Sequence, residues 1–276
     1  VARVMEELSA ADASTAWCVG QASGCAMSAA FLEAEAARRV FGPADAVLAW
    51  GAGAAGTATA VEGGYRVTGR WQFASGSRGA TWLGGHCKVV LPDGSQPKRS
   101  DGKPADRTML FLRHKARIDD TWQVMGLKGT GSDTYAVENL FVPADETLDR
   151  EDLATAREMA PIYRFPTTLA YAAGFGGVML GIARGTLADL TALAKRKTPR
   201  GAVSSLLESP VFQADLARMT ARWRAARALH HQAYASVWAD VAERDKPLSL
   251  DNRAEARLAA THAINEGVAI VVDAYR

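Results

Sequence analysis

Residues 64–77 read Gly64-Tyr65-Arg66-Val67-Thr68-Gly69-Arg70-Trp71-Gln72-Phe73-Ala74-Ser75-Gly76-Ser77. Aromatic and β-branched residues alternate with polar ones up to Gly69, resume after it, and end in small hydroxyl residues around Gly76. The pattern predicts a strand, a glycine turn and a second strand. Standing alone, the stretch reads first as a hairpin packed by its own aromatics. Its end at Ser75-Gly76-Ser77 also exposes backbone N–H groups and a hydroxyl at a sheet edge, beside the flat face of Phe73. That end suits an aromatic heterocycle with carbonyl and ring-nitrogen acceptors.

The same texture extends on both sides, from about Val47 to Pro143. Thr57, Thr59 and Val61, the turn Glu62-Gly63-Gly64, then Tyr65, Val67 and Thr68 form a hairpin signal. Further strands are expected at 81–90, 108–112, 121–125 and 134–142. Residues 92–107, rich in Pro, Gly, Asp, Lys and Ser, read as a solvated excursion between two of them. Outside this region the texture is helical. Residues 1–41 are rich in Ala and Glu, Asp12 or Ser14 can cap a helix through Trp17, Cys18 and Gln21, and Gly42-Pro43 stops the run. Leu169–Lys197 is one long helical pattern with Ala172, Ala173, Gly174, Gly176, Gly177 and Gly181 closely spaced, which lets helices approach. Pro199 and Gly201 end it, Pro210 starts a helix reaching Trp238, and Asp251 caps the last one. Helices, then strands, then long helices make the fold class α+β, not alternating α/β. The expected segments are a partial N-terminal helical domain at 1–43, a central β domain at 44–148 and a partial C-terminal helical bundle at 149–276.

Composition bounds the function. The 276 residues are 48% apolar, 22% charged and 8% aromatic, which excludes disorder, collagen and a disulfide scaffold. With 32 Lys+Arg against 30 Asp+Glu the net charge is +2, no electrostatic footprint for nucleic acid. No uninterrupted apolar run reaches the ~18 residues of a membrane span, and no signal peptide opens the chain. The expectation is a cytoplasmic protein without membrane or nucleic-acid partners. Cys18, Cys25 and Cys87 follow no metal-ligand spacing and read as buried free thiols. Both ends fall inside helical patterns without caps or breakers, so 276 reads as the length of a fragment.

Several motifs carry less than they promise. Gly51-Ala52-Gly53-Ala54-Ala55-Gly56 is a literal G-x-G-x-x-G, but a hairpin follows it instead of a helix, and residues 70–77 hold no acid for a ribose. His86, His114, His230, His231 and His262 have no partner at ligand spacing and read as surface or packed residues. No nucleophile elbow and no paired carboxylates stand out, and Glu33 and Glu35 fit a solvated helix face. Trp50, Trp71, Trp82 and Trp122 read as core ahead of a substrate pocket.

The stretch at 64–77 resembles the flavin-binding β segment of the acyl-CoA dehydrogenase superfamily, roughly Asn-Gly-x-Lys-x-Trp-Ile-Thr-Asn, with Gly69, Phe73 and Ser75 on its Gly, Trp and Thr. Residues 122–134, Trp-Gln-Val-Met-Gly-Leu-Lys-Gly-Thr-Gly-Ser-Asp-Thr, resemble the family's Gly-x-Arg-x-Ser-x-Thr turn, and the strand after it ends in Val142-Pro143 as the family's does. Arg196-Lys197-Thr198 and Gln213 resemble the end of its first C-terminal helix and the Gln on the next. The resemblance implies a central antiparallel β-barrel-like domain and an up-and-down C-terminal bundle. It also implies a flavin, FAD or FMN, against Phe73, Ser75 and Gly76, with Arg196, Thr198 and Gln213 toward its phosphate end, and a homodimer or homotetramer.

Departures choose the branch. Trp50-Gly51-Ala52 stands where dehydrogenases carry Thr-Glu-Pro, and Pro166-Thr167-Thr168 holds no acid where some place a catalytic Glu. The Phe-x-Ser-Gly ending and Gly-Thr-Gly-Ser are more similar to the flavin-dependent monooxygenases, which take reduced flavin from a partner reductase and hydroxylate small aromatics. Ser23-Gly24-Cys25-Ala26-Met27 replaces a His frequent in that branch. The expected acid-base residue lies beyond Arg276, and Ser75 is the candidate catalytic residue within the chain. The alternatives are an acyl-CoA dehydrogenase or oxidase acting on an acyl thioester, and a non-catalytic flavin-binding scaffold.

Overall fold

The computed structural model describes residues 1–99, 102–150 and 152–276. They divide into two compact units, one of residues 21–167 and one joining 1–20 to 168–276. The three expected segments thus map onto two units, with the first twenty residues grouped with the C-terminal helices.

The unit of residues 21–167 is built on one eight-stranded sheet. Its strands are β1 (Leu48–Trp50), β2 (Gly56–Val61), β3 (Gly64–Ala74), β4 (Trp82–Val90), β5 (Asp106–Leu112), β6 (Arg117–Asp119), β7 (Asp133–Pro143) and β8 (Thr147–Leu148). Their order is β6-β7-β3-β2-β4-β5-β8, and β1 pairs with β4. The antiparallel barrel is corrected on two counts. Strand β4 runs parallel to both β1 and β2, and among the described residues no pairing joins β6 to β8. Those edges hold only three and two residues, too few to close the sheet.

Strands β2 and β3 form the expected hairpin, closed at Val61↔Gly64 with Gly63 at φ 75 in the turn. The glycine turn expected inside 64–77 is absent: β3 is continuous through Gly69. Gly69 is there for the indole of Trp71, which is fully buried and donates Nε1–H to the His86 carbonyl at 3.0 Å. A Cβ on Gly69 would lie 2.5 Å from that ring, and one on Gly85 2.6 Å. Tyr135 stacks on the other side at 5.3 Å, and Leu83, Met109 and Phe111 complete the core. The strand expected at 121–125 is also corrected. The N–H groups of Thr121 and Trp122 are drawn to the Asp133 carboxylate at 3.2 and 3.3 Å, which takes them off any ladder, and the strand lies earlier, at β6.

Helix α1 (Ala2–Ala11), the start of α2 (Ala13–Ala26), α4 (Thr167–Arg196), α5 (Pro210–Trp238) and α6 (Leu250–Tyr275) make the other unit, while α3 (Ala34–Phe41) packs in the sheet unit through Ala36 and Val40. Asp12, not Ser14, caps α2, accepting from Thr15 N–H at 2.6 Å. Ser249 replaces Asp251 as the cap of α6, accepting from Asn252 N–H at 3.0 Å. Trp223, His230 and Tyr234 of α5 bond the carbonyls of Leu180, Ala173 and Leu169, so residue numbers rise on α5 as they fall on α4. Met219 packs with Ile270 and Ala226 with Ala263, so α6 reverses again, giving the up-and-down order. By length and composition alone α4 is long and apolar enough to cross a membrane. Its glycines are covered by other helices of the unit: Gly181 seats Ser9 and the Glu6 carbonyl of α1, and Gly176 seats the His230 ring of α5.

Candidate functional site

Phe73 takes φ 59, a left-handed conformation that a bulky residue adopts only under constraint from its surroundings. The twist turns its ring out of the sheet, 60% exposed, between Gln72 and the buried Ala74. Trp122 meets it edge-on, centroids 6.1 Å apart at 84°. The indole is itself tied by Nε1–H to the Leu127 carbonyl at 3.0 Å.

Just past the strand, Ser75 N–H donates to the Phe73 carbonyl at 2.9 Å, and Gly76, at φ 78, donates to the Thr130 carbonyl at 2.8 Å. These bonds hold the strand end against the loop of residues 127–132. Ser75 Oγ lies 2.7 Å from Ser132 Oγ, which lies 2.6 Å from Thr130 Oγ1, which donates to the Leu127 carbonyl at 2.9 Å. Ser77 Oγ is buried with no hydrogen-bond partner among the described residues. Arg78 clamps the same loop: Nε donates to Asp133 at 2.6 Å, and the guanidinium reaches Asp120 at 2.8 Å. The Arg78 hydrogen bond, opposed by burial and aided by the Trp122 N–H, holds the Asp133 carboxyl below the usual carboxylate range.

Phe73, Ser75 and Gly76 are therefore brought together at one strand end. Sequence reading missed Thr130, Ser132 and Trp122 as their partners. The available signal was the hydroxyl pair flanking Gly131, whose φ of 49 folds the loop back on itself.

Arg196, Thr198 and Gln213 lie in the helical unit, all exposed. Arg196 ends α4, with Nε donating weakly to the Ala192 carbonyl at 3.3 Å and no ion pair among the described residues. The Lys197 carbonyl accepts from Leu206 N–H at 2.8 Å, and Gln213 Nε2 donates to Leu207 at 2.9 Å. The loop after α4 thus links all three through consecutive turns. Gln213 keeps its amide oxygen for another donor, and Arg196 its forked N–H groups for an anion.

His86, His230 and His231 are packed and His114 and His262 are exposed, in keeping with the reading of surface or packed residues. Burial pushes His86 down to about 3, with Nδ1 held 2.8 Å from Thr108 Oγ1, and His230 down to about 4. His231 contacts the buried Glu6 carboxylate at 2.6 Å. Trp50, Trp71 and Trp82 are core, and Trp122 alone of the four indoles faces the site. None of the three cysteines forms a disulfide; Cys25 and Cys87 are buried, and Cys18 is half-buried.

An exposed aromatic face, a hydroxyl at the strand end and a buried hydroxyl without a partner among the described residues stand within five residues. Such a set fits a flat heterocycle with both donors and acceptors on its edge, so the residues present fit the ring of a flavin.

Comparison with known proteins points the same way. The family described as "Acyl-CoA dehydrogenase, C-terminal domain" matches residues 173–276. The chain is 31% identical over 264 residues to the indole-3-acetate monooxygenase of Pseudomonas putida, covering 94% of this chain and 64% of that protein. It is 31% identical over 227 residues to the oxygenase component of the FADH(2)-dependent resorcinol hydroxylase of Rhizobium sp., covering 78% and 54%. The chain thus spans less than two thirds of these relatives. The structure of XiaF from Streptomyces sp. in complex with FADH2 and glycerol superposes with a TM-score of 0.85 at 25% identity, covering 100% of this chain and 70% of that one. Residues 173–276 thus carry the acyl-CoA dehydrogenase C-terminal domain, and the chain is a homologue of the oxygenase components of flavin-dependent monooxygenases.

Proposed function

We propose that this chain is the flavin-binding part of an oxygenase component that uses reduced flavin and oxygen to hydroxylate a small aromatic compound, as a cytoplasmic enzyme supplied by a separate flavin reductase. The observation that carries the reading is the outward-turned Phe73 beside the Ser75 hydroxyl, at the end of β3. The relatives' names support it, since one is a monooxygenase of indole-3-acetate and the other an FADH(2)-dependent hydroxylase of resorcinol.

When bound, reduced flavin supplies the electrons that activate oxygen. The chain's own residues hold and orient it. Phe73 packs its exposed face on the ring, and Ser75 supplies a hydrogen-bonding oxygen at the ring edge. Arg196 and Thr198 bind phosphate, the guanidinium by charge-assisted bonds, and Gln213 adds the second N–H of its amide. The phosphate on the ribityl chain is common to FMN and FAD, so both are candidate ligands. Assembly into a dimer or tetramer belongs to the same proposal, and it would use faces other than the α4 glycines that α1 and α5 cover.

Anaerobic titration with reduced FMN and reduced FAD is the test, followed by admission of oxygen in the presence of indole or resorcinol. Saturable binding of a reduced flavin and a hydroxylated product are expected. A protein that binds no reduced flavin overturns the reading, and one that binds it but never turns over any aromatic favours a scaffold.

A further inference from the structure

The gap in the sheet opens a hollow of its own. Strand β8 covers β5 only at Thr108 and Met109, and β6 covers β7 only at residues 134–136. Past those rungs, residues 110–112 and residues 137–141 have no strand on their outer edges among the described residues. Phe111 of β5 meets Tyr135 of β7 edge-on at 6.3 Å, so the sheet curls until β5 and β7 face each other. A cavity of about 460 Å³ is lined by both strands, by the start of β4 and by Arg39 and Pro43, a volume within the range of small-molecule sites. Trp82 and Phe111 line it from buried positions, while Leu112 and Phe141 remain 37% and 42% exposed at its wall. Large apolar side chains left half-open around a hollow mark a surface that an apolar guest can cover.

The charges around this hollow select the guest. Arg39, Lys115 and Glu146 line it. Arg39 is answered by Asp145 at 2.7 Å and by Glu146 at 3.0 Å, so that wall is neutralised by its own residues. In the turn from β5 to β6, Arg113 Nε donates to the Ser77 carbonyl at 2.8 Å and Arg117 pairs with Asp119 at 2.9 Å. Lys115, exposed between them, has no carboxylate partner among the described residues. We propose that the hollow binds a small aromatic carboxylate, its ring against Phe111, Leu112 and Phe141 and its charge on the Lys115 ammonium. None of the lining residues belongs to the strand end at Phe73. On β7, Leu140 and Phe141 stand at the far end of the strand from Asp133, which pairs with Ala74. The proposal is therefore independent of the flavin reading, and the carboxylate binds with or without flavin.

The test is equilibrium dialysis of the flavin-free protein against naphthoate and against naphthamide, its uncharged counterpart of the same shape. Naphthoate should bind saturably and more tightly than naphthamide, and added salt should weaken only naphthoate. Lys115→Gln should weaken naphthoate about fivefold, the upper end for an exposed ion pair, and leave naphthamide unchanged. Leu112→Asp places a carboxylate on the wall at a half-open position and should weaken naphthoate further than Lys115→Gln does. Reduced FMN should not displace naphthoate from wild type. No saturable binding, equal binding by wild type and both variants, or displacement by reduced FMN overturns the proposal.

Discussion

Trp122 stands edge-on to Phe73, 84° between their planes, and that contact accompanies a Phe73 backbone held at φ 59. A left-handed non-glycine residue costs of order 1–3 kcal/mol, so the strand end is strained in order to aim a ring outward. The usual ranking of substitutions should invert here. Phe73→Gly should be about 1 kcal/mol more stable than Phe73→Ala in urea unfolding, because only glycine accepts this φ freely. Both variants should lose flavin affinity by tenfold or more. Equal stabilities for the two would refute the strain argument, whatever happens to binding.

The Arg78–Asp133 clamp gives the strand end a pH dependence. Asp133 is held below its usual value in the folded protein, chiefly by the Arg78 hydrogen bond. Its contribution is therefore complete above the unfolded carboxylate value of about 3.9 and is lost as pH falls through the lower folded value. Asp133→Asn should cost about 1.5–3 kcal/mol at pH 7, and the gap to wild type should close below about pH 4. Arg78 is 55% exposed and screened by solvent, which favours the lower figure. Melting temperatures of both proteins between pH 7 and pH 3 check this, and a gap of constant size would contradict it.

The helical runs, the Glu62-Gly63 hairpin and the Phe73-Ser75 end were legible because period, turn chemistry and motif agreed there. Gly69 misled because a glycine that makes room for an indole looks the same in sequence as one that turns the chain; only the position of Trp71 separates them. Residues 121–125 alternate like a strand, yet Asp133, distant in sequence, claims their N–H groups. Thr130 and Ser132 escaped for a related reason. Their role depends on a contact across 57 residues, between Ser75 and Ser132, which no local pattern encodes.

Arg196 and Thr198 should matter for the phosphate and not for the ring. Arg196→Ala is expected to weaken reduced FMN binding about tenfold, the scale of one charge-assisted contact. Riboflavin, which has the ring and no phosphate, should bind wild type and variant alike. The two ligands titrated side by side decide it: an equal loss for both would move Arg196 off the phosphate.

The first helix is tied down at two points that no binding role requires. Glu6, buried, takes Arg227 Nε at 2.6 Å and His231 Nε2 at 2.6 Å, and Ser9 Oγ donates to the Val178 carbonyl at 2.8 Å. Gly181 permits the close approach, since a Cβ there would strike Ser9 Oγ and the Glu6 carbonyl. Glu6→Ala leaves Arg227 and His231 without their carboxylate, which should cost roughly 3 kcal/mol, the low end for a buried pair because Arg227 is partly open to water. Gly181→Ala acts sterically, and it should displace α1 and break the Ser9 bond. In both variants amide exchange should quicken across residues 2–11 while β3 and β7 stay protected. Uniform loss of protection would mean that α1 does not unfold as a separable element, and unchanged exchange would mean that these contacts do not hold it.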